Sequence, residues 1–258
     1  MIVDDPHLHV RFATSEQDLL GAQRLRYEVF VAELGGDGPL VDHGGRFERD
    51  RFDPFFDHLV LIDERRDSAT LDHVVGAYRL MRRDQAEPAG RFYSDDEYDL
   101  TVLRRSGRSL LELGRSCVHA DYRGGTAMLR LWNGLAAYVR KQGIEILFGV
   151  ASFHGTDPER LAQPLSLLHH AHLAPPDLRV RARENAFQRM DLLPPERIDR
   201  PRAMRQTPAL IKAYLRLGGF VGEGAWIDRV FNTTDVCLVM DTVRIRERQR
   251  AIYERSLA

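Results

Sequence analysis

The run Leu111-Glu112-Leu113-Gly114-Arg115-Ser116-Cys117-Val118 sets an acid and a base inside an otherwise apolar, strand-like segment. Regular alternation along a strand puts Glu112, Gly114 and Ser116 on one face and Leu113, Arg115 and Cys117 on the other. Glycine inside a strand often marks a bulge, and a bulge at Gly114 would turn Glu112 and Arg115 towards the same side. A carboxylate among leucines in a central strand needs a partner or a raised pKa. Two readings follow: a structural ion pair of Glu112 with Arg115 or Arg79, or a general base beside a cation. The segment then runs through His119-Ala120-Asp121 into Tyr122-Arg123-Gly124-Gly125-Thr126-Ala127, whose glycines open a helix. Unpaired N–H groups at such a helix start bind phosphate, and glycine lets an anion approach the backbone. A plain tight turn is the alternative.

Other reactive residues point less far. His169 and His172 share a helical face with His170 beside them, but no third ligand is near in sequence, so packing or partner recognition is expected rather than metal binding. No Gly-x-Ser-x-Gly elbow is present, so a serine hydrolase is not indicated. Cys117 and Cys237 sit in apolar runs and read as buried thiols of a reducing compartment. Arg202, Arg205, Lys212 and Arg216 alternate with Leu210, Ile211, Tyr214 and Leu215, and Arg244, Arg246, Arg248 and Arg250 lie near the C-terminus. Either stretch suits an acidic protein, an anionic lipid surface, or plain solvent.

The elements that must hold these residues are legible from periodicity. Ser15 to Leu34 reads as a helix, with Ser15 and Asp18 as a capping box and Leu19, Ala22, Val29 and Phe30 on one face. A polar loop follows from Asp37 to Asp57. Strands are predicted at His58–Asp63, Val74–Arg82 and Leu110–Val118, the last after an irregular stretch around Tyr93-Ser94-Asp95-Asp96. From Thr126 to Gln142, Met128, Leu131, Trp132, Leu135, Ala136 and Val139 form a core-facing stripe that Gly143 ends. A strand at 144–153 completes a strand–helix–strand unit. Thr207-Pro208 is expected to start a helix with Thr207 as its cap, and Val236–Met240 is the last strand. The expected fold is α/β (α+β), a mixed twisted sheet flanked by helices. With no evident linker, the chain reads as one domain, 1–258: a core at 8–157 and a C-terminal extension at 158–258.

The chain has 258 residues, 43% hydrophobic and 29% charged, the make-up of a globular protein and not of a disordered one. Thirty-seven basic residues against 38 acidic ones leave a net charge of −1, which provides no overall steering towards nucleic acid. Lys141 and Lys212 are the only lysines, so almost every cation is an arginine, suited to planar anion contacts. Neither a signal peptide nor a span of about 18 apolar residues is evident. The expected location is the cytoplasm, with peripheral contact at the inner membrane left open.

In order along the chain, Arg24 to Phe30, Asp50-Arg51-Phe52-Asp53, Gly76 to Leu80 and Glu112-Leu113-Gly114-Arg115 resemble the acyl-carrier-dependent branch of the GNAT superfamily, which includes acyl-homoserine-lactone synthases. Further blocks extend the resemblance over most of the chain, to the L-ornithine N-alpha-acyltransferases, or ornithine lipid synthases. These are Phe92-Tyr93-Ser94, Glu112 to Tyr122, Phe148 to Pro158, His169 to Pro176, Leu210 to Gly218 and Phe231 to Val236. The resemblance implies a bacterial GNAT fold that moves a 3-hydroxyacyl group from acyl carrier protein to the α-amine of L-ornithine. It implies no cofactor beyond the donor's phosphopantetheine, and no nucleic acid. Glu112, with Arg115, would then be catalytic. Arg26, Phe30, Asp50, Asp53, Arg79, Ser152 and His154 would line the substrate site, although the acids also read as solvated loop residues and helix caps. Tyr122 to Ala127 (Tyr122, Arg123, Gly124, Gly125, Thr126, Ala127) would hold the pantetheine phosphate. Tyr122 departs from the usual Gln/Arg at the head of that loop, which suits a carrier with one phosphodiester somewhat better than coenzyme A. The alternatives are the same chemistry on glutamine or glycine, a lactone synthase, which would need S-adenosylmethionine, or a non-catalytic carrier- or lipid-binding module.

Overall fold

The computed structural model describes residues 5–38 and 41–244. They divide into two compact units, one within Met1–Gly90 and Leu113–Gly143, the other within Arg91–Glu112 and Ile144–Ile252. These boundaries fall inside the 8–157 stretch rather than at 157–158.

The first unit opens with strand β1 (Leu8–Phe12) and helix α1 (Glu16–Arg26). The Ser15 hydroxyl accepts from the Asp18 N–H, and the Asp18 carboxylate accepts from the Ser15 N–H, the capping box expected from the sequence. Beyond Arg26 the helix changes character: Tyr27–Glu33 is a π-helix. A 3.6-residue pattern marks a helical segment but carries no signal for the wider turn. Ala22, Leu25 and Val29 bury against Val60, Ile62, Val74, Ala77 and Cys117, with Phe30 packed at the margin.

The predicted polar loop holds local structure. Val41–Asp42 pairs with Phe47–Glu48, and Asp53–Phe55 forms a 3-10 turn. Strand β2 (Asp57–Asp63) then pairs antiparallel with β1 and with β3 (Val74–Arg82). Strand β4 (Leu110–Val118) lies next to β3, and the His119 N–H donates to the Val75 carbonyl at 2.9 Å. Helix α2 (Ala127–Gln142) buries Leu131, Leu135, Ala136 and Val139 along the predicted stripe. A Cβ on its Gly134 would come within 2.6 Å of Val10 Cγ1, so glycine there permits close helix–sheet packing. Gly143, at a φ of 61°, ends the helix in the left-handed conformation.

In the second unit, Leu110–Glu112 of β4 pairs in parallel with Ile146–Phe148 of β5 (Ile146–His154), and that register ends at Glu112. A parallel pair needs a crossover connection, and α2 is the helix in it. Three helices follow: α3 (Ala162–His172), α4 (Arg200–Gln206) and α5 (Ala209–Arg216). Strands β6 (Ala225–Asp228) and β7 (Thr233–Asp241) complete the sheet, β7 running antiparallel to β5 over its full length. Thr207 does not cap α5. It is the C-terminal cap of α4, and its hydroxyl donates back to the Ala203 carbonyl at 2.9 Å. Pro208 stands at the start of α5 without a side-chain cap. Cys117 and Cys237 are buried and unbridged, as expected.

Candidate active site

In the second unit the Glu112 side chain is almost fully enclosed, at 1% exposure. One carboxylate oxygen accepts the Tyr93 N–H at 2.8 Å and the other the Ser94 N–H at 2.6 Å. Glu112 therefore anchors the 3-10 turn Tyr93–Asp96 by filling the open donors at its start. Such bonds favour the charged carboxylate. Ser152 and His154 are both exposed on β5, opposite Asp235 and Thr233 of β7.

In the first unit, three arginines and three acids close on one another. Arg26, with 0% exposure, donates through Nε to Glu48 and through Nη1 to Asp53 at 2.6 Å. Arg79 donates to Asp53 at 2.6 Å and to Asp50 at 2.8 Å, and its guanidinium lies 4.3 Å from the Phe56 ring centre. Gln23 adds a bond to Asp53 at 3.0 Å. Arg115 reaches Glu48 at 3.2 Å and lies 3.7 Å from Asp50. Burial disfavours the charged form of Glu48, but Arg115 and Arg26 overcome it and hold the carboxyl down at about 2. Asp53 is held far below the usual carboxylate range, because Arg26 and Arg79 outweigh its burial. Every charge here has an opposite partner, the condition under which charges survive burial.

This arrangement alters what the sequence suggested for several residues. Asp53 is shared by Arg26 and Arg79, and Arg26 is divided between Asp53 and Glu48, with Asp53 and Arg26 at 4% and 0% side-chain exposure. Phe30 packs at the edge of the core. Arg115 and Asp50, at 15% and 9%, form the more accessible edge of the network. The strand irregularity lies at Arg115, with a φ of 50°, one residue beyond the bulge expected at Gly114. Glu48 was not anticipated. The signal was charge arithmetic: three arginines, two of them buried, call for a third acid, and Glu48 stands two residues before Asp50.

The loop before α2 is exposed from Arg123 to Gly125, with Gly124 at a φ of 77°. Thr126 precedes the helix without a side-chain cap, which leaves first-turn N–H groups for an anion. Tyr122 and Arg123 point elsewhere. The Tyr122 hydroxyl donates to Asp63 at 2.5 Å, and Arg123 bonds the Val118 carbonyl at 3.0 Å and Glu33 at 2.8 Å. Among the described residues no cluster of three potential metal ligands occurs, and no helix is long and apolar enough to cross a membrane.

A strand–helix–strand connection with an open helix start, whose first strand is irregular and carries paired charges, fits a GNAT-type acyltransferase. Residues 25–133 match the family model described as acetyltransferase (GNAT) domain. By structure the chain resembles a CoA-dependent acyl-homoserine lactone synthase, BjaI, with a TM-score of 0.51 at 16% identity, covering 96% of this chain and 88% of that one. It also resembles FeeM, an N-acyl amino acid synthase from uncultured soil microbes, with a TM-score of 0.53 at 12% identity and 93% of each chain covered. By sequence it is 63% identical to an L-ornithine N(alpha)-acyltransferase of Rhodobacter capsulatus, over 95% of this chain and 94% of that one. A relative of the same description from Brucella abortus is 44% identical over 95% of this chain and 88% of that one. The chain belongs to the L-ornithine N(alpha)-acyltransferase family, and it is an acyltransferase.

Proposed function

We propose that the enzyme transfers a 3-hydroxyacyl group from the thioester of acyl carrier protein to the α-amine of L-ornithine, giving a lyso-ornithine lipid. The observation that carries the acceptor is the 63% identity, over nearly the whole chain, to a relative described as acting on ornithine. In this reading the amine nitrogen attacks the thioester carbon, the carbon–sulfur bond breaks, and the carrier thiol leaves with a proton. Glu112 takes the amine proton, directly or through water. An α-amino group titrates near 8, so a modest base suffices. Backbone N–H groups around Gly114 support the oxyanion. The Arg115 guanidinium matches the acceptor's carboxylate, and Asp50 matches an amine. Ser152 and His154 line the acyl side, and the 122–127 loop receives the pantetheine phosphodiester through its backbone.

The test is purified enzyme with 3-hydroxyacyl carrier protein and ornithine, with product read by mass spectrometry. N-acylornithine is expected from the wild type, with at least a hundredfold lower kcat for Glu112→Ala in folded protein. A Glu112→Ala variant that folded and kept wild-type kcat would place the base elsewhere.

A further inference from the structure

Several arginines of the second unit are answered by an acid: Arg181 by Glu184 and Glu223, Arg189 by Asp191, Arg244 by Asp177 and Asp241. Helices α3, α4 and α5 supply no such acid. They have 11, 7 and 8 residues, and none of the three contains an aspartate or glutamate. Arg200, Arg202 and Arg205 of α4 are exposed, and Lys212 on α5 is partly exposed. Among the described residues these four make no ion pair. Arg216 adds an exposed cation at the end of α5. Helix α3 packs on α4, and the pKa of its His172 is lowered by burial and then by the positive charge of Arg200. The nearest acid in sequence, Asp199, accepts the backbone N–H of Arg202 at 3.0 Å as the α4 cap.

We infer that α4 and α5 form the docking face for an acidic surface on the protein that delivers the acyl group. This rests on the donor assignment proposed above. Two features select that partner. The face offers arginine, which forms paired bonds with carboxylates, and it lacks acids that would repel an acidic partner or neutralise the arginines. It also lacks what lipid insertion needs. Met204, Leu210, Ala213 and Leu215 are half-buried, and the exposed large apolar side chains of the described residues lie elsewhere, at Leu34, Val230 and Val243. Exposed cations and half-buried apolar residues thus occur together on these helices, the composition of a protein contact with a polar rim.

The experiment compares the wild type with an Arg202→Glu/Arg205→Glu variant, using the acyl-carrier donor and a small acyl-pantetheine thioester in parallel. Both side chains are exposed and make no ion pair, so folding is expected to persist, and circular dichroism checks it. The expected result is at least a tenfold rise in KM for the carrier donor, with the ornithine KM and turnover of the small thioester unchanged. A carrier KM unchanged in the variant would overturn the docking face while leaving the donor assignment intact. So would an equal loss with both donors, or a loss confined to binding of anionic phosphatidylglycerol vesicles. A wild type that used only the small thioester would overturn the donor assignment, and the partner with it.

Discussion

Asp50 and Asp53 are three residues apart, yet their surroundings separate their roles. Asp53 is shared by Arg26, Arg79 and Gln23 in the interior. Removing one partner of a buried pair strands the others, at a cost of about 3–5 kcal/mol. Asp53→Asn is therefore expected to lower folding stability by about that amount in urea unfolding. Asp50→Asn, nearer the accessible edge, is expected to spare most stability and to raise the KM for ornithine about tenfold or more, the scale of losing one charged hydrogen bond. A stable Asp53→Asn protein would show that the network is not the support described. Acid is a second probe of the same residues. The folded carboxyl of Glu48 sits at about 2 against an ordinary 4.5, so its contribution is complete above 4.5 and lost as pH falls towards 2. Asp53 acts in the same direction. Unfolding free energy measured from pH 7 down to pH 3 should fall below about pH 4.5, and less steeply in Asp53→Asn. The residues of this network were visible in sequence as an acidic loop and scattered arginines. Their mutual pairing was not, because it depends on contacts between residues more than 20 apart.

At the scale of elements, periodicity located β3 and β4 to the residue and α2 to within one, because each has a regular buried pattern and a glycine or polar stop. It failed where hydrogen bonding departs from the regular forms. The π-helix at Tyr27–Glu33 keeps an apolar face and so looks like more of α1. The irregularity in β4 was expected at glycine, the residue that tolerates it best, yet it falls on Arg115. A left-handed arginine costs roughly 1 kcal/mol that a glycine would not. Arg115→Gly is thus expected to be about 1 kcal/mol more stable than Arg115→Ala, with both equally poor in turnover. Equal stability of the two variants would mean the backbone at this position is unstrained. A local distortion that survives on an arginine, where it aims the guanidinium at Glu48, fits strain held at a functional site.

At the scale of the molecule, the near-balance of charge conceals local order. Acids and arginines pair inside the first unit, while the carboxylate-free helices of the second leave cations outward. The family was legible in sequence because ordered motif blocks run along most of the chain. Arg246, Arg248 and Arg250, read in sequence as a second basic stretch, lie outside the described residues. The central claim is the acceptor, and a competition assay addresses it most directly. Enzyme and 3-hydroxyacyl carrier protein are supplied with an equimolar mixture of ornithine, lysine, glutamine and glycine, and acylated products are resolved by mass spectrometry. N-acylornithine is expected as the dominant product. Preferential acylation of glutamine or glycine, or no acylated amino acid from folded enzyme and competent donor, would contradict it.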